Sequence, residues 1–250
     1  MKKILLLFLL APFFANAQKL LGGKNIIKTN ISGDLIGNYN LTYERSIAKK
    51  FSLSVGFRYM PKAALPSAVR NIADKYINDP DVHLEDFQMG NFAITPELRL
   101  YLSAGKMKGF YIAPYGRYAS FDVQVPVSYT NSSLPPGTKA QVKFNGKFTS
   151  MSAGLLLGTQ FQIAKKLVLD IWIIGAHYGS STGTIDAVDI NPAMNTPADR
   201  QALQDQLDDV KNLGPFTFEG KVTSATTAQI TTTGAWAGVR ALGFSLGIRF

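Results

Sequence analysis

Residues 242–250 have the sequence LGFSLGIRF, and their alternation decides the fold class. Apolar side chains stand at every second position, and small or charged residues stand between them. The apolar members are Leu242, Phe244, Leu246, Ile248 and Phe250. A period of two places the two sets on opposite faces of a β-strand. Because a loose chain end has nothing to bury, an apolar face that continues to Phe250 predicts a strand whose apolar face is covered.

The same alternation recurs in earlier segments of the chain. These segments are NIIKTNI (25–31), YNLTYERS (39–46), FSLSVGFRY (51–59), ITPELRLYL (94–102), GFYIAPYGRY (109–118), MSAGLLLGTQFQI (151–163) and LVLDIWI (167–173). Together with the segment that ends at Phe250, they predict eight strands, which is an even number, as closed antiparallel barrels in membranes require.

The polar face of these strands carries charges of both signs beside many glycines and serines. Its charged members are Lys28, Glu44, Arg58, Glu97, Arg99, Arg117, Asp170 and Arg249. In a water-soluble sandwich this face would meet solvent and the apolar face would form the core. Pro96 and Pro114, however, lie inside otherwise regular strands, and the small residues suit a crowded interior. We therefore expect the charged residues to form a network in the lumen and the apolar face to meet lipid.

From the second connection onward, short and long connections alternate. The short ones are rich in lysine, and the long ones cover about residues 61–90, 128–139 and 185–233. In outer-membrane barrels the periplasmic turns are short and the extracellular loops are long. The sequence thus predicts an all-β, eight-stranded antiparallel transmembrane β-barrel with short periplasmic turns and long extracellular loops.

The first residues have the features of a secretory signal peptide. Lys2 and Lys3 precede an apolar run, and Ala15-Asn16-Ala17 forms a small-x-small cleavage site. We expect residues 1–17 to be removed and residues 18–250 to form one barrel domain in the outer membrane. The chain contains no cysteine, so it would fold there without disulfides.

The distribution of charge argues against nucleic acid as a partner. The 26 basic and 17 acidic residues leave a net charge of +7 once Lys2 and Lys3 are removed, but no basic patch carries interleaved aromatic residues. The 185–233 loop is acidic, and Thr196 and Pro197 open a helical segment at 196–213. This helix either packs over the barrel mouth or contacts an extracellular or envelope protein. A second helix is predicted at 65–79.

Taken together, the signal peptide, the alternating strands, the lysine-rich turns and LGFSLGIRF resemble small outer-membrane barrels of the OmpA, OmpX and OmpW type. The opening KTNISGDLIGNYNLTYERSI followed by FSLSVGFRY is similar to an uncharacterised barrel family of Bacteroidetes. The resemblance implies contact with outer-membrane lipid and lipopolysaccharide in a Gram-negative envelope. It also implies that the barrel-assembly machinery reads a terminal signal, formed here by Phe244, Leu246, Ile248 and Phe250.

The sequence offers little material for catalysis. It has two histidines, and only His177, near Ser180 and Ser181, is a candidate; we expect it on a solvent-facing rim without a catalytic role. No spacing of ligands predicts a metal or a cofactor. The favoured function is a structural or envelope-interaction barrel with a side-chain-filled lumen. The alternatives are a narrow channel for small solutes, as in OmpW, and an outer-leaflet lipid-modifying enzyme.

Overall fold

In the computed structural model, eight antiparallel strands form one closed ring. The first seven strands pair in the order of the sequence, and the last strand of the chain pairs with both the seventh and the first. The structure describes residues 23–64, 70, 86–103, 106–130, 139–189, 197–209, 212–213, 216–224 and 226–250. The prediction of an all-β antiparallel fold built on eight strands is confirmed. The predicted signal peptide, residues 1–17, lies outside the described residues.

The elements run in a simple meander with one insertion before the last strand. The ring strands are β1 (Asn25–Asn30), β2 (Tyr39–Ser46), β3 (Phe51–Ala64), β4 (Gln88–Tyr101), β5 (Gly109–Thr130), β6 (Lys139–Gln162), β7 (Leu167–Asp189) and β10 (Thr227–Arg249). The other elements are the helices α1 (Ile31–Asp34) and α2 (Pro197–Asp209) and the strands β8 (Asn212–Leu213) and β9 (Phe216–Val222). Strand β9 continues the sheet beside β10, and β8 pairs with β9.

The last residue of the chain takes part in closing the ring. The backbone N–H of Phe250 donates to the carbonyl of Asn25 at 2.9 Å, and the N–H of Asn25 donates to the carbonyl of Phe250 at 3.0 Å. These two hydrogen bonds extend the β1–β10 ladder beyond Arg249. The apolar pattern therefore continues to Phe250 because this residue is paired, not frayed.

The two ends of the ring differ in the length of their connections. One end, called here the short-turn end, carries connections 47–50, 102–108 and 163–166 together with Phe250. The opposite end, called the long-connection end, carries α1 and the strand ends from which the longer segments leave, namely Ala64 and Gln88, Thr130 and Lys139, and Asp189 and Thr227. The assignment of the two ends to periplasmic turns and extracellular loops stays a prediction.

Four strands extend farther toward the long-connection end than the sequence predicted. Strands β5, β6, β7 and β10 contain 22, 24, 23 and 23 residues. The predicted loop 185–233 is therefore too long, because residues 185–189 and 227–233 belong to strands and β8 and β9 lie between them. Loops 61–90 and 128–139 are also shorter than predicted. The threonine-rich stretch at 231–233 suits a strand, since β-branched side chains favour extended backbone.

The helix predicted at 196–213 is present and begins at Pro197 as expected, although it ends at Asp209. Helix α2 is hydrogen-bonded to strand β9. The side-chain amide of Gln204 donates to the carbonyl of Gly220 at 2.8 Å and accepts from the N–H of Val222 at 2.9 Å. The helix predicted at 65–79 lies outside the described residues, except for Arg70. Within the described part of the chain, no helix is long and apolar enough to cross a membrane.

A β-bulge changes the alternation in the middle of β7. Leu157 of β6 is opposite Ile174, whereas the next residue, Gly158, is opposite Trp172. Ile173 and Ile174 consequently both face outward, and both are exposed. On the adjacent strand Leu242 has a φ of 46°, which is uncommon for a residue other than glycine. Beyond this level the odd-numbered residues of β7, and no longer the even-numbered ones, point into the ring.

Burial in the ring is the reverse of burial in a water-soluble sheet. The inward face holds Glu44, Arg99 and Asp170, each 0% exposed. The outward face holds large apolar side chains, such as Phe110 at 60% and Leu155 at 56% exposure. A polar interior and an apolar exterior suit a closed sheet whose outer surface contacts an apolar medium.

The exposed apolar side chains form one band around the ring, called here the apolar band. Its exposed members are Tyr39, Leu41, Tyr43, Phe51, Leu53, Phe57, Tyr59, Phe92, Leu98, Phe110, Tyr118, Met151, Leu155, Leu157, Phe161, Ile173, Ile174, Tyr178, Val239, Leu242, Phe244 and Ile248. Aromatic residues lie at both borders. The band covers positions 110–118 of β5 and 167–178 of β7. With a rise of 3.3 Å and a tilt near 40°, this corresponds to roughly 23 to 30 Å.

Beyond the band, toward the long-connection end, the outward face becomes polar. On β7 the first four outward residues after Tyr178 are Ser180, Thr182, Thr184 and Asp186, all exposed, and only then follows the apolar Val188. The same change occurs on β10, where the outward residues include Thr231 and Thr233. The long strands therefore consist of an apolar half next to the short-turn end and a polar half that projects beyond it.

Candidate functional site

The lower half of the ring interior, next to the short-turn end, contains a network of buried charges. Its ionic members come from strands on all sides of the ring. They are Lys28 of β1, Glu44 of β2, Glu97 and Arg99 of β4, and Asp170 of β7. The side chains are at most 4% exposed. The structure therefore brings together five of the eight charged residues that the sequence placed in the lumen.

Lys28 lies between two carboxylates. Its Nζ donates to Glu44 Oε2 at 2.6 Å and to Asp170 Oδ2 at 2.5 Å. The third proton goes to Gln160 Oε1 at 2.7 Å. An ammonium group has three donors, so the hydrogen-bonding capacity of Lys28 is completely used. This is the condition under which a buried lysine charge is tolerated.

Arg99 forms ion pairs with Glu97 and with Asp170. Its Nε and NH2 both donate to Glu97 Oε2, at 2.9 and 2.6 Å. Its NH1 donates to Asp170 Oδ2 at 2.7 Å, and the guanidinium lies 4.4 Å from the centroid of the Tyr111 ring. The planar, multivalent guanidinium can contact several acceptors at once, which a lysine at this position could not do.

Hydroxyl groups donate hydrogen bonds to the second carboxylate oxygen of Glu44 and of Asp170. Tyr101 and Ser52 both donate to Glu44 Oε1 at 2.6 Å, and Tyr111 donates to Asp170 Oδ1 at 2.8 Å. Glycine makes room for the ring of Tyr111, since a Cβ at Gly158 would collide with it. The lower interior is thus filled by side chains that bond to one another, as expected for a ring of this size.

Arg240 of β10 balances the remaining negative charge of the network. The alternation in the sequence did not predict this residue as a member. Its NH1 lies 3.3 Å from Glu97 Oε1, and its guanidinium lies 4.3 Å from the Trp172 ring and 5.1 Å from the Tyr115 ring. With Arg240 included, three cations face three carboxylates in this part of the interior. The available signal was its position between Gly238 and the apolar end of the chain, but residues 234–241 fall between the predicted loop 185–233 and the predicted strand 242–250.

Three predicted members of the lumen network lie elsewhere. Arg58 and Arg117 point into the interior above Arg240 and form no ion pair with the residues that the structure describes. Arg249 lies at the short-turn end, where its Nε donates to the carbonyl of Gly23 at 2.7 Å and its NH1 to Gln162 Oε1 at 3.1 Å. Arg249 is therefore not part of the network, whose carboxylates Glu44, Glu97 and Asp170 accept hydrogen bonds from Lys28 and Arg99.

The sequence predicted that His177 lies on a solvent-facing rim, but its side chain lies inside the ring. The bulge at residues 173–174 turns it into the ring, where its side chain lies 6.3 Å from the Tyr115 ring, measured between centroids. Ser180 is exposed on the opposite face, and Ser181 Oγ faces the carbonyl of Gly234 at 3.4 Å. The geometry thus separates His177 from Ser180. Among the described residues, no group of three or more histidines and carboxylates is arranged to hold a metal ion.

The predicted terminal signal lies on the outer face of β10. Phe244 and Ile248 are 45% and 59% exposed, and the residues between them, Ser245 and Gly247, are buried. The alternation of LGFSLGIRF is therefore present in the structure from Gly243 to the end of the chain. Its recognition by an assembly factor stays a prediction.

Comparison with known proteins identifies a family. Residues 3–182 match the family described as "Protein of unknown function (DUF3575)", and because this match covers more than half of the chain, the chain belongs to that family. No curated protein matches the chain. The family description states no activity, and a relation to the OmpA, OmpX and OmpW barrels stays a prediction.

Proposed function

We propose that this protein is an integral outer-membrane β-barrel with a structural or envelope-interaction role. In this proposal the apolar band contacts lipid, the lower interior is closed by side chains, and the long connections face the cell exterior. The observation that carries the proposal is the apolar band of roughly 23 to 30 Å, which is close to the thickness of a bilayer's hydrocarbon core.

The closed ring supports a membrane location for a second reason. In lipid no water is available to satisfy backbone N–H and C=O groups, so an open sheet edge is excluded from the hydrocarbon region. In the apolar half of the ring every strand has a neighbour on both sides, because β10 pairs with β7 and with β1. The one added edge, formed by β9 and β8, lies beside residues 228–234, above the band.

The charge distribution supports the proposed orientation. Six lysines lie in the short turns: Lys49, Lys50, Lys106, Lys108, Lys165 and Lys166. Next to the apolar band they would lie at the level of anionic phospholipid headgroups. The long polar halves of β5, β6, β7 and β10 would then project outward through the lipopolysaccharide layer and carry α2 on β9.

The interior weakens both alternative functions. A narrow channel needs a continuous path, but the network around Lys28 and Arg99 fills the lower interior. An outer-leaflet enzyme needs a nucleophile beside its base, but Ser180 lies on the opposite face of β7 from His177, and the Oγ of Ser181 donates to the carbonyl of Gly234. We therefore propose no enzymatic activity, no cofactor and no nucleic-acid partner. A partner protein in the envelope or outside the cell would contact the residues of the 185–233 segment.

Protease treatment of intact cells tests the proposed location and topology. Cleavage is expected only within the long connections, because the short turns would face the periplasm. Trypsin should therefore leave Lys49–Lys50 and Lys165–Lys166 intact until the outer membrane is permeabilised, with fragments identified by mass spectrometry. Cleavage at these lysine pairs in intact cells, or recovery of the protein in the soluble fraction, would contradict the proposal.

Removing the terminal aromatic ring tests the assembly signal. The variant Phe250→Ser keeps the backbone hydrogen bonds to Asn25 but lacks the aromatic side chain. We expect it to fold in detergent like the parent protein and to accumulate several-fold more in the periplasm as unassembled chain. Leu242→Ser, on the same face of β10 but far from the end, is the control and should assemble normally. Equal assembly of both variants would make Phe250 an ordinary strand residue.

A further inference from the structure

The interior above the charge network contains a second cluster, called here the arginine chamber. It is lined by Arg58 of β3, Tyr115 and Arg117 of β5, Trp172 and His177 of β7, and Arg240 of β10. Its floor is the network, since Glu97 contacts both Arg99 below and Arg240 above. The network lies between the chamber and the short-turn end, so the chamber faces the long-connection end.

The chamber holds two more positive charges than the described carboxylates balance, because the three carboxylates of the network already face Lys28, Arg99 and Arg240. Arg240 has one carboxylate, Glu97, which already accepts two hydrogen bonds from Arg99. Arg58 and Arg117 have none, and their positive charges, together with that of Arg240, repel one another. The Nε atom of Arg58 is buried without a hydrogen-bond partner. Nearly all buried polar groups in proteins are paired with a protein group, an ordered water or an ion, and an unpaired buried charge is destabilising.

Further polar groups around the chamber are also without partners in the described structure. The hydroxyl of Tyr115, the Nδ1 of His177, the Nε1 of Trp172 and the Oγ of Ser152 are all buried and unpaired. Three of these four groups can donate a hydrogen bond as well as accept one, and the indole of Trp172 can only donate. The pocket thus presents converging donors and positive charge.

The backbone makes space for two of the rings that line the chamber. A Cβ at Gly154 would lie 2.8 Å from Tyr115 Cζ and 2.8 Å from His177 Cβ, and a Cβ at Gly238 would lie 2.6 Å from His177 Nε2. Glycine at these positions lets both rings lie against the wall of the ring. Arg240 is held between Trp172 and Tyr115, so the edge of its guanidinium is oriented in advance.

From this geometry we infer that the arginine chamber is a binding pocket for a small oxyanion, which enters from the long-connection end and is held by Arg58, Arg117 and Arg240. Guanidinium forks match the paired oxygens of phosphate and carboxylate groups, whereas chloride offers no such geometry. The inference concerns the ring interior alone and holds whether or not the apolar band contacts a membrane.

The full chain, refolded in detergent, provides the test, with inorganic phosphate as the probe. Phosphate is titrated against chloride at constant pH and ionic strength, and binding is followed by tryptophan fluorescence, because the chain has two tryptophans and one of them, Trp172, contacts Arg240. We expect a saturable signal with phosphate only and a rise in melting temperature as the pocket fills. A response of equal size in chloride, or no response to phosphate, would overturn the inference.

Variants locate the site. Arg58→Gln and Arg117→Gln should each weaken phosphate binding at least tenfold, and Arg58→Lys, which keeps the charge but loses the fork, should bind with intermediate affinity. Arg249→Gln is the matched control, because Arg249 also lies on the inward face but at the short-turn end; it should bind like the parent. Unchanged affinity in both glutamine variants would contradict the inference, as would an Arg58→Lys variant that binds like the parent.

Discussion

Replacing Asp170 by leucine is expected to lower the free energy of unfolding of the ring by about 3 to 5 kcal/mol, the usual cost of breaking a buried ion pair on one side. Asp170 is fully buried and accepts hydrogen bonds from Lys28 at 2.5 Å, Arg99 at 2.7 Å and Tyr111 at 2.8 Å. The substitution leaves two cations short of a counter-charge in a site that water does not reach. Urea unfolding of the refolded protein, followed by tryptophan fluorescence, measures the loss.

The same strand offers a matched control. Asp186 of β7 is exposed and accepts a hydrogen bond from Gln229 at 2.8 Å. Asp186→Leu should change the free energy of unfolding by less than about 1 kcal/mol, as is usual for surface contacts. Lys28→Met combined with Asp170→Leu should recover part of the loss, because it removes one of the stranded cations. Equal effects of Asp170→Leu and Asp186→Leu would show that the network does not stabilise the ring.

Arginine in the apolar band should oppose insertion into a bilayer. Leu155 is 56% exposed near the middle of the band, and Leu155→Arg is expected to cost about 2 to 4 kcal/mol of insertion free energy at the bilayer midplane. The measurement is reversible folding into phospholipid vesicles over a denaturant series. This insertion free energy reports on the outer surface of the ring, because Leu155 lies on the outward face.

Thr184→Arg is the control for this experiment. Thr184 also faces outward and is exposed, but it lies beyond the apolar band in the polar half of β7. It should insert within about 1 kcal/mol of the parent protein, because the cost of arginine falls toward the membrane surface. If Leu155→Arg inserts as well as Thr184→Arg, the apolar band does not contact lipid.

The sequence predicted the inward face where the alternation is unbroken. Arg99 lies on β4 and Asp170 on β7, for example, and the period of two alone predicts that both point into the interior. Each strand fixes its own faces, because successive side chains point to opposite sides. The partners inside the ring depend on register, and so the contact of Lys28 with Asp170 could not be derived from the pattern.

The bulge accounts for the two main errors at the candidate site. Counted with a strict period of two from Asp170, His177 falls on the outer face, but the extra residue at 173–174 turns it inward. On β10, Val239 and Leu242 both face outward although three positions separate them, so the alternation breaks immediately before LGFSLGIRF. The strand therefore seemed to begin at residue 242, and Arg240 was missed.

Strand length also escaped prediction, for a different reason. The upper parts of β7 and β10 are polar outside, with Thr182 and Thr233 as examples, and they lack the apolar alternation of the lower parts. Residues of this kind are common in loops as well as in strands, and here the pairing of β7 with β10 decides between the two. The apolar alternation therefore ends at the border of the apolar band, although the strands continue beyond it.

Solvent accessibility at single outward positions tests the central claim most directly. The chain contains no cysteine, so Leu155→Cys and Thr184→Cys can each carry one nitroxide label. In phospholipid vesicles, electron paramagnetic resonance should show the label at 155 relaxed by oxygen, which concentrates in lipid, and shielded from a water-soluble nickel chelate, with the reverse at 184. If the nickel chelate reaches position 155 as readily as position 184, the ring does not span a membrane.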